Sequence, residues 1–461
     1  MTDARDKPAT AVIAGLGRTG YSCARYLLAH GWRLAVTDTR REPPELARLA
    51  ALDPGIPVRL GGLDAALLDD AVCVVASPGI ALTDPFFEEA RRRGLDIVGD
   101  IELFALAADA PVAAITGTNG KSTVTTLTGR MAGRAGLKTR TGGNLGDPAL
   151  DLLAASQRDA ERTELYVLEL SSFQLEAARS LDLKAAAVLN VSPDHLDRYR
   201  SLEDYAAAKA RIYARCDIAV VNRDDPWVMA MPRPGQPAIS FSIAEAADAD
   251  YTVAVPRGRG SGGSRAAQGW LTRRGEPLIA LADLKLRGLH NAANGLAALA
   301  LGEALGLPLE PMLAEVRDFA GLPHRSQWVA EVRGVAYVDD SKGTNVGATI
   351  AAVEGLPGPL VMILGGDGKQ QDFKPLAAAF AGKVRHAVLI GRDREAIARA
   401  LGGVATLERC DSLEEAVRAA ARAARPGDTV LLSPACASLD MFRDYAHRGA
   451  VFSAAVEELA A

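Results

Sequence analysis

The chain has 461 residues, 49% of them hydrophobic and 24% charged, and 52 basic against 57 acidic side chains leave a net charge of −5. That length predicts two to three domains of a soluble globular protein, and the lack of a basic run argues against a nucleic-acid partner. Five scattered cysteines with no C-x-x-C pair argue against a disulfide framework or zinc ribbon; with no apolar leader and no bilayer-length apolar stretch, the expectation is a cytoplasmic chain without a membrane span.

Short β-branched runs alternate with Ala/Leu-rich helical patterns, which predicts an α/β fold of parallel sheets covered by helices. The first group holds "TAVIAGLG", "RLAVTD" and "AVCVVASPG" and ends near "IVGDIELF". Its opening turn carries Gly15-x-Gly17-x-x-Gly20, and Asp38 ends the next apolar run. This is the spacing of a dinucleotide fingerprint, in which glycines permit a tight turn, backbone approach to a diphosphate and helix–strand packing. Alone it fits an NAD-dependent dehydrogenase, but any diphosphate ligand satisfies the first two requirements. A second small-residue turn, "ASPGI", follows a strand on the same sheet edge.

The second group holds "PVAAITG", "ELYVLEL", "AAAVLNV" and "IAVVN". Its strongest signal is "AITGTNGKST", a strand running through Gly117, Thr118, Asn119 and Gly120 into Lys121, Ser122 and Thr123, which open a helical pattern stopping at Gly136. Such a turn wraps N–H groups around a phosphate, Lys121 adds a full charge, and the Ser122 or Thr123 hydroxyl can reach Mg²⁺. Ile115 stands where the usual P-loop begins with glycine. Glu169 ends an apolar strand, where a carboxylate can hold Mg²⁺ or simply face solvent. Asp194, His195 and Asp197 follow another strand; position alone favours turn chemistry over metal ligation. "PRGRGSGGSRAAQG", Pro256 to Gly269, reads as a surface loop, and "HNAANGLAALALGEALGL" as an interdomain helix with one apolar face.

The third group holds "VAYVDDS", "PLVMILGG", "HAVLIG" and "DTVLLSPA". "VDDSKGTN", "LGGDGKQQDF" and "SPACASLDMF" each follow a strand, and glycine, hydroxyl and lysine at three strand ends suggest a site for anions. Ser438 is predicted to cap a helix beginning "SLDMF", whose free N–H groups suit a carboxylate. The breaks between groups fall near Gly99 and Gly321, giving units 1–99, 100–321 and 322–461.

The ordered series "GDIELF", "GTNGKST", "ELSSFQLE", "DHLDRY", "HNAAN", "GLPHR", "DDSKGTN", "GGDGK" and "SPACASLD" resembles the Mur ligases, ATP-dependent amide-forming enzymes of peptidoglycan assembly. The resemblance spans nearly the whole chain. The Asp-Asn-Pro-Arg tetrapeptide of the relative that adds diaminopimelate or lysine does not occur. The family implies a Rossmann-like N-terminal domain for a uridine nucleotide, a P-loop-type central ATPase domain and a Rossmann-like C-terminal domain for the amino acid. It implies a monomer that uses ATP and two Mg²⁺ ions, or Mn²⁺, on UDP-N-acetylmuramoyl-L-alanine and D-glutamate.

By motif, the resemblance gives Lys121 the ATP phosphates, Ser122 and Glu169 one Mg²⁺, and His195 a second. Lys209 matches a lysine carbamylated in the family, where an anion in place of a cation supports a metal site. Asn291 and Asn294 match adenine contacts, and His324, Arg325 and Asp340 nucleotide contacts from the third domain. Lys342, Thr344, Lys369, Ser438 and Tyr445 match the D-glutamate site. Gly17, Arg18, Thr19, Asp38, Thr39, Arg40, Ser77 and Asn144 match the uridine-nucleotide site. Two positions depart from the pattern: Tyr445 stands where many members have Phe, and Gly343 replaces a frequent alanine, which predicts a looser turn. A dehydrogenase and a non-catalytic P-loop switch stand as the alternatives.

Overall fold

Apolar β-branched runs flanked by glycine turns become the strands of three separate sheets. The computed structural model describes residues 9–159, 162–244, 248–254, 269–286, 288–356 and 358–460. All but the last residue of the Pro256–Gly269 segment lies outside them. The first sheet contains β1 (Thr10–Ala14), β2 (Arg33–Asp38), β3 (Val58–Leu60), β4 (Cys73–Ala76) and β5 (Asp96–Val98) in the order β3-β2-β1-β4-β5. Every pairing in it is parallel, and strand order reverses between β1 and β4, so the ends of those strands bound a crevice.

The central sheet holds β6 (Val112–Thr116), β7 (Thr139–Gly143), β8 (Leu165–Glu169), β9 (Leu183–Val188), β10 (Cys216–Asn222), β11 (Ala238–Ser242), β12 (Tyr251–Ala254), β13 (Trp270–Arg273) and β14 (Glu276–Ala280). Their order is β14-β13-β12-β11-β10-β9-β6-β8-β7, parallel except for the antiparallel β13 and β14. The third sheet holds β15 (Gln327–Val332), β16 (Val335–Asp339), β17 (Leu360–Gly365), β18 (Val384–Ile390), β19 (Thr406–Arg409) and β20 (Thr429–Leu432), ordered β15-β16-β20-β17-β18-β19 with only β15 antiparallel. The expected α/β class with parallel sheets is what forms. The strands absent from the sequence reading are mostly at edges, such as β3, β7, β15 and β19, where one neighbour and partial burial leave no continuous apolar run.

The helix Leu289–Ala304 corrects one expectation. Leu296, Ala297, Ala298, Leu299, Ala300 and Leu301 are all fully buried, so it has no single apolar face. It is the core helix of the central unit, packed on the helix Lys121–Arg134 and on β9 to β12, and its uniformly apolar composition follows from burial all round. "GDIELF" forms a joint: Asp100 accepts from Gln174 Nε2 at 2.8 Å, and Glu102 accepts from the Arg179 and Ser180 N–H groups and the Ser180 hydroxyl. These bonds fasten the helix Asp100–Ala105 beneath the "ELSSFQLE" segment. The five cysteines are all free, and no helix among the described residues is long and apolar enough to cross a membrane.

Candidate active site

β6 delivers the chain into a turn that only glycine relaxes at two points. Gly117 has φ +147° and Gly120 φ +83°, and a Cβ on Gly120 would run into Asn294 Oδ1. Asn190, at the end of the β9 segment, pins this turn: its Oδ1 accepts from Asn119 N at 2.8 Å and its Nδ2 donates to Asn119 O at 3.1 Å. Lys121 folds back over the loop and donates to the Gly117 and Thr118 carbonyls, both at 2.9 Å. Burial lowers its pKa, so its charge is poorly compensated and ready for anionic oxygens.

Glu169, at the end of β8, is 3% exposed. Its Oε1 accepts from Asn144 Nδ2 at 2.7 Å, whereas its buried Oε2 has no partner among the described residues. Burial pushes this carboxyl up, but Lys121, Ser122, Asn144 and Arg325 together hold it below its ordinary value. A buried, ionised oxygen without a donor is the mark of a cation site. His195, at φ +55°, has its imidazole pushed down to about 4, chiefly by burial, so it is neutral and able to ligate at neutral pH. Lys209, 1% exposed, donates to the same Gly117 carbonyl at 2.9 Å and lies 4.3 Å from the Tyr205 ring centre. Burial, then the nearby Lys121 charge, lowers its pKa well below the ordinary lysine value. Among the described residues, no three His, Cys, Asp or Glu side chains form a metal cluster; the candidate set here mixes hydroxyl, carboxylate, imidazole and amine.

The third unit closes onto this loop. Arg325 donates to the Ser122 hydroxyl at 2.7 Å, and the phosphate loop together with Asn291, Asn294, Arg325, Asp340 and Lys342 bounds a cavity of about 390 Å³. Asn294 Nδ2 donates to Asn291 Oδ1 at 3.2 Å, which sets the pair along one edge of the helix at the cavity. Burial raises Asp340 to about 7, against donors from Ser433 and the Ser326 N–H. Lys342, lowered to about 8 by burial and then by the Arg325 and Lys121 charges, stands 3.8 Å from the Tyr445 ring centre. His324 is not brought to the cavity; its Nδ1 pairs with Asp339 Oδ2 at 2.6 Å inside the third unit. Lys369 Nζ donates to Asp194 Oδ1 at 2.9 Å, and Thr344 precedes the buried Asn345.

Two expectations about this unit are corrected. Ser438 caps no helix at "SLDMF": its carbonyl accepts from Met441 and Phe442 N–H in a turn, and the helix starts at Tyr445, where Asp444 Oδ1 accepts from His447 N at 2.7 Å as the actual cap. Gly343 does not loosen its turn, because a Cβ there would come within 2.6 Å of both Asp340 Oδ2 and Ser433 Oγ. Gly343 N donates to Asp340 O and its carbonyl accepts from Ala435 N, so the turn is tight and glycine makes room for the Asp340–Ser433 pair.

Of the residues expected at the uridine-nucleotide site, those of the first unit gather at the carboxyl ends of β1, β2 and β4, whereas Asn144 directly follows β7 of the central sheet. Gly17 precedes the helix Arg18–Ala29, leaving its first N–H groups open to an anion, and nothing lies within 4 Å of a Cβ built on Gly17. Asp38 is 1% exposed and fully engaged: Leu16 N donates to Oδ2 at 2.6 Å, Arg40 N to Oδ1 at 2.8 Å, and the Arg40 guanidinium to both oxygens. Burial works against its charge, but Arg40 and the Leu16 N–H hold the carboxyl below its usual range. With both oxygens taken, this acid has no free acceptor for a nicotinamide-nucleotide ribose, which removes the physical ground for the dehydrogenase reading. Arg18 donates to Gly146 O at 3.1 Å, and Arg198 reaches the carbonyls of Pro78, Gly79 and Ile80, so the first unit is tied to the Asn144 loop and the His195 loop. Sequence reading missed Asn190, Arg198 and Asn345; a polar residue directly after a strand was the only signal for the first, and the other two act across units.

Profiles of three domain families match along the chain: "Mur ligase MurD-like, N-terminal domain" over 9–99, "Mur ligase middle domain" over 115–302 and "Mur ligase, glutamate ligase domain" over 324–436. The UDP-N-acetylmuramoylalanine--D-glutamate ligase of Nitrosococcus oceani is 49% identical over 453 residues, covering 98% of this chain and 97% of its own. The enzyme of that name from Pseudomonas aeruginosa is 49% identical, covering 97% and 98%. Among solved structures, the UDP-N-acetylmuramate-alanine ligase of Thermotoga maritima superposes with a TM-score of 0.61 at 19% identity, over 97% of this chain and 99% of its own, a likeness of fold. Neither the dehydrogenase nor the switch reading gains support from these relatives. Three domain matches in order, and near-half identity over almost the full length, make this chain a member of the Mur ligase family.

Proposed function

We propose that this chain is an ATP-dependent, ADP-forming ligase that joins D-glutamate to UDP-N-acetylmuramoyl-L-alanine in peptidoglycan synthesis. The observation that carries the reading is the cavity formed jointly by the phosphate loop and by Arg325, Asp340 and Lys342 of the third unit, since a ligase must bring ATP and an amine to one place. In this reading units 1–99, 100–321 and 322–461 bind the uridine nucleotide, ATP and the amino acid, and the chain works as a monomer.

The Glu169 Oε2, which has no partner among the described residues, the adjacent Ser122 hydroxyl and the neutral His195 imidazole fit Mg²⁺. Ser122 and Glu169 would hold one ion, with His195 and Lys209 supporting a second and Mn²⁺ able to replace either. Bound there, the metal supplies neutralisation of charge where two anions meet. Lys121 exchanges its two carbonyl partners for ATP phosphate oxygens. An oxygen of the alanyl carboxylate attacks the γ-phosphorus as the bond to ADP breaks, giving an acyl phosphate. The neutral amine of D-glutamate then attacks the acyl carbon, the tetrahedral adduct expels phosphate, and the nitrogen loses a proton. Lys342, Thr344, Lys369, Ser438 and Tyr445 receive the D-glutamate, whose two carboxylates need more than one cationic or N–H-rich partner. Gly17 to Thr19, Thr39, Arg40 and Ser77 receive the uridine nucleotide, with Asp38 shaping that turn and Asn144 positioned between the two sites. Burial favours the neutral amine of Lys209, the form that adds carbon dioxide to give a carbamate and a proton.

Purified protein should release phosphate from ATP only when UDP-N-acetylmuramoyl-L-alanine and D-glutamate are both present. Equal release without the amino acid, or none with both, rejects the reading.

A further inference from the structure

Asn345 begins the helix Val346–Gly355 and is 3% exposed. Its Oδ1 accepts from Ala348 N at 2.8 Å, an ordinary helix cap. Its Nδ2 does something a cap does not require: it donates to Asn119 Oδ1 at 3.1 Å and to Asp194 Oδ2 at 3.3 Å. Asn119 Nδ2 returns a bond to Asn345 Oδ1 at 3.4 Å, so two carboxamides pair across the junction between central and third units. Asp194 uses its other oxygen for Lys369 Nζ at 2.9 Å. The helix also approaches closely here, since a Cβ on Gly347 would lie 3.1 Å from Ser192 Oγ and 3.6 Å from Asn119 Nδ2.

The amide is specific to these demands. Serine would still cap the helix but is too short to reach Asn119 and Asp194. Aspartate would cap it and still accept from Asn119, but would set a second buried carboxylate against Asp194. A cap alone is served by all three residues. The partners Asn345 joins are the phosphate loop, through Asn119, and the candidate amino-acid contacts, through the neighbouring Thr344 and through Asp194 to Lys369.

We propose that Asn345 is a positioning residue for the ligation, registering the amino-acid-binding unit against the phosphate loop so that the D-glutamate amine meets the acyl phosphate. The inference rests on the ligase reading, and the full-length protein with ATP, UDP-N-acetylmuramoyl-L-alanine and D-glutamate tests both separately. Asn345→Ser and Asn345→Asp, each still able to cap, should lower kcat at least tenfold and raise the KM for D-glutamate. In both, the KM values for ATP and the uridine substrate should stay within about twofold, and in Asn345→Ser, which adds no charge beside Asp194, the Tm should stay close to wild type. A kcat and D-glutamate KM within twofold of wild type in either folded variant overturns the proposal. So does a parallel weakening of all three substrates with a lowered Tm, which is the signature of a merely structural residue. A wild-type protein without D-glutamate-dependent phosphate release sinks the ligase reading instead.

Discussion

Two glycine turns, each leading from a first strand into a helix, behave differently in this molecule. At Gly15–Gly20 the demands are steric: a Cβ on Gly20 would run into the Gly15 carbonyl oxygen, and one on Gly15 would lie 2.7 Å from Ser77 Cβ. The charges there cancel locally, because Asp38 is spent on Leu16 N and Arg40. At Gly117–Gly120 the charges are held apart. Lys121 and Lys209 both lean on the Gly117 carbonyl, and Glu169 keeps a buried oxygen without a partner among the described residues. A turn whose charges are already paired can hold a ligand; a turn where buried lysines and a buried carboxylate face one another without a direct ion pair can also favour a change in charge distribution.

Substitutions at the two turns should therefore differ in kind. Lys121→Ala should cut D-glutamate-dependent phosphate release about a thousandfold with little change in Tm; a loss under tenfold would place the phosphates elsewhere. Lys209→Ala should cost about a hundredfold, with part of the activity returned by added acetate or formate. Full activity in that variant would show that no anion is needed at this position. Asp38→Asn should act on binding alone, raising the KM for the uridine substrate about tenfold while kcat stays within twofold. A matching fall in kcat would erase the distinction between the turns.

The smallest effect concerns His290, at the edge of the cavity between the central and third units, whose buried Nδ1 has no partner among the described residues. Burial lowers its pKa from 6.5 to about 4. The unfolded chain thus takes up a proton that the fold refuses, and stability falls as pH drops from about 6.5 toward 4. His290→Gln should lose less Tm than wild type over that range; identical slopes would show that His290 titrates freely in the folded protein.

Much of the fold was legible because its signals are local. β1, β2, β4, β6, β8, β9 and β10 and the two glycine turns each occupy one contiguous stretch, where β-branched runs and positive-φ glycines declare themselves. Local signals also misled. "SLDMF" has the composition of a capped helix, but Ser438 lies in a turn and Asp444 starts the helix instead. The Ala/Leu run at 289–304 reads as one-faced because sequence does not show that the central sheet and a second helix wrap it.

Contiguous residues carry the strand–glycine–helix turns, the succession of strand groups and the residue types able to meet phosphate and metal, since backbone sterics and side-chain chemistry are properties of near neighbours. How those residues are used depends on the packing of the three sheets against one another. Arg325 reaches Ser122 across 203 positions and Asn345 reaches Asn119 across 226, while His324 turns away to Asp339. Such choices depend on which buried donors and acceptors the docking of three sheets leaves unmatched, and no stretch of contiguous residues carries that information.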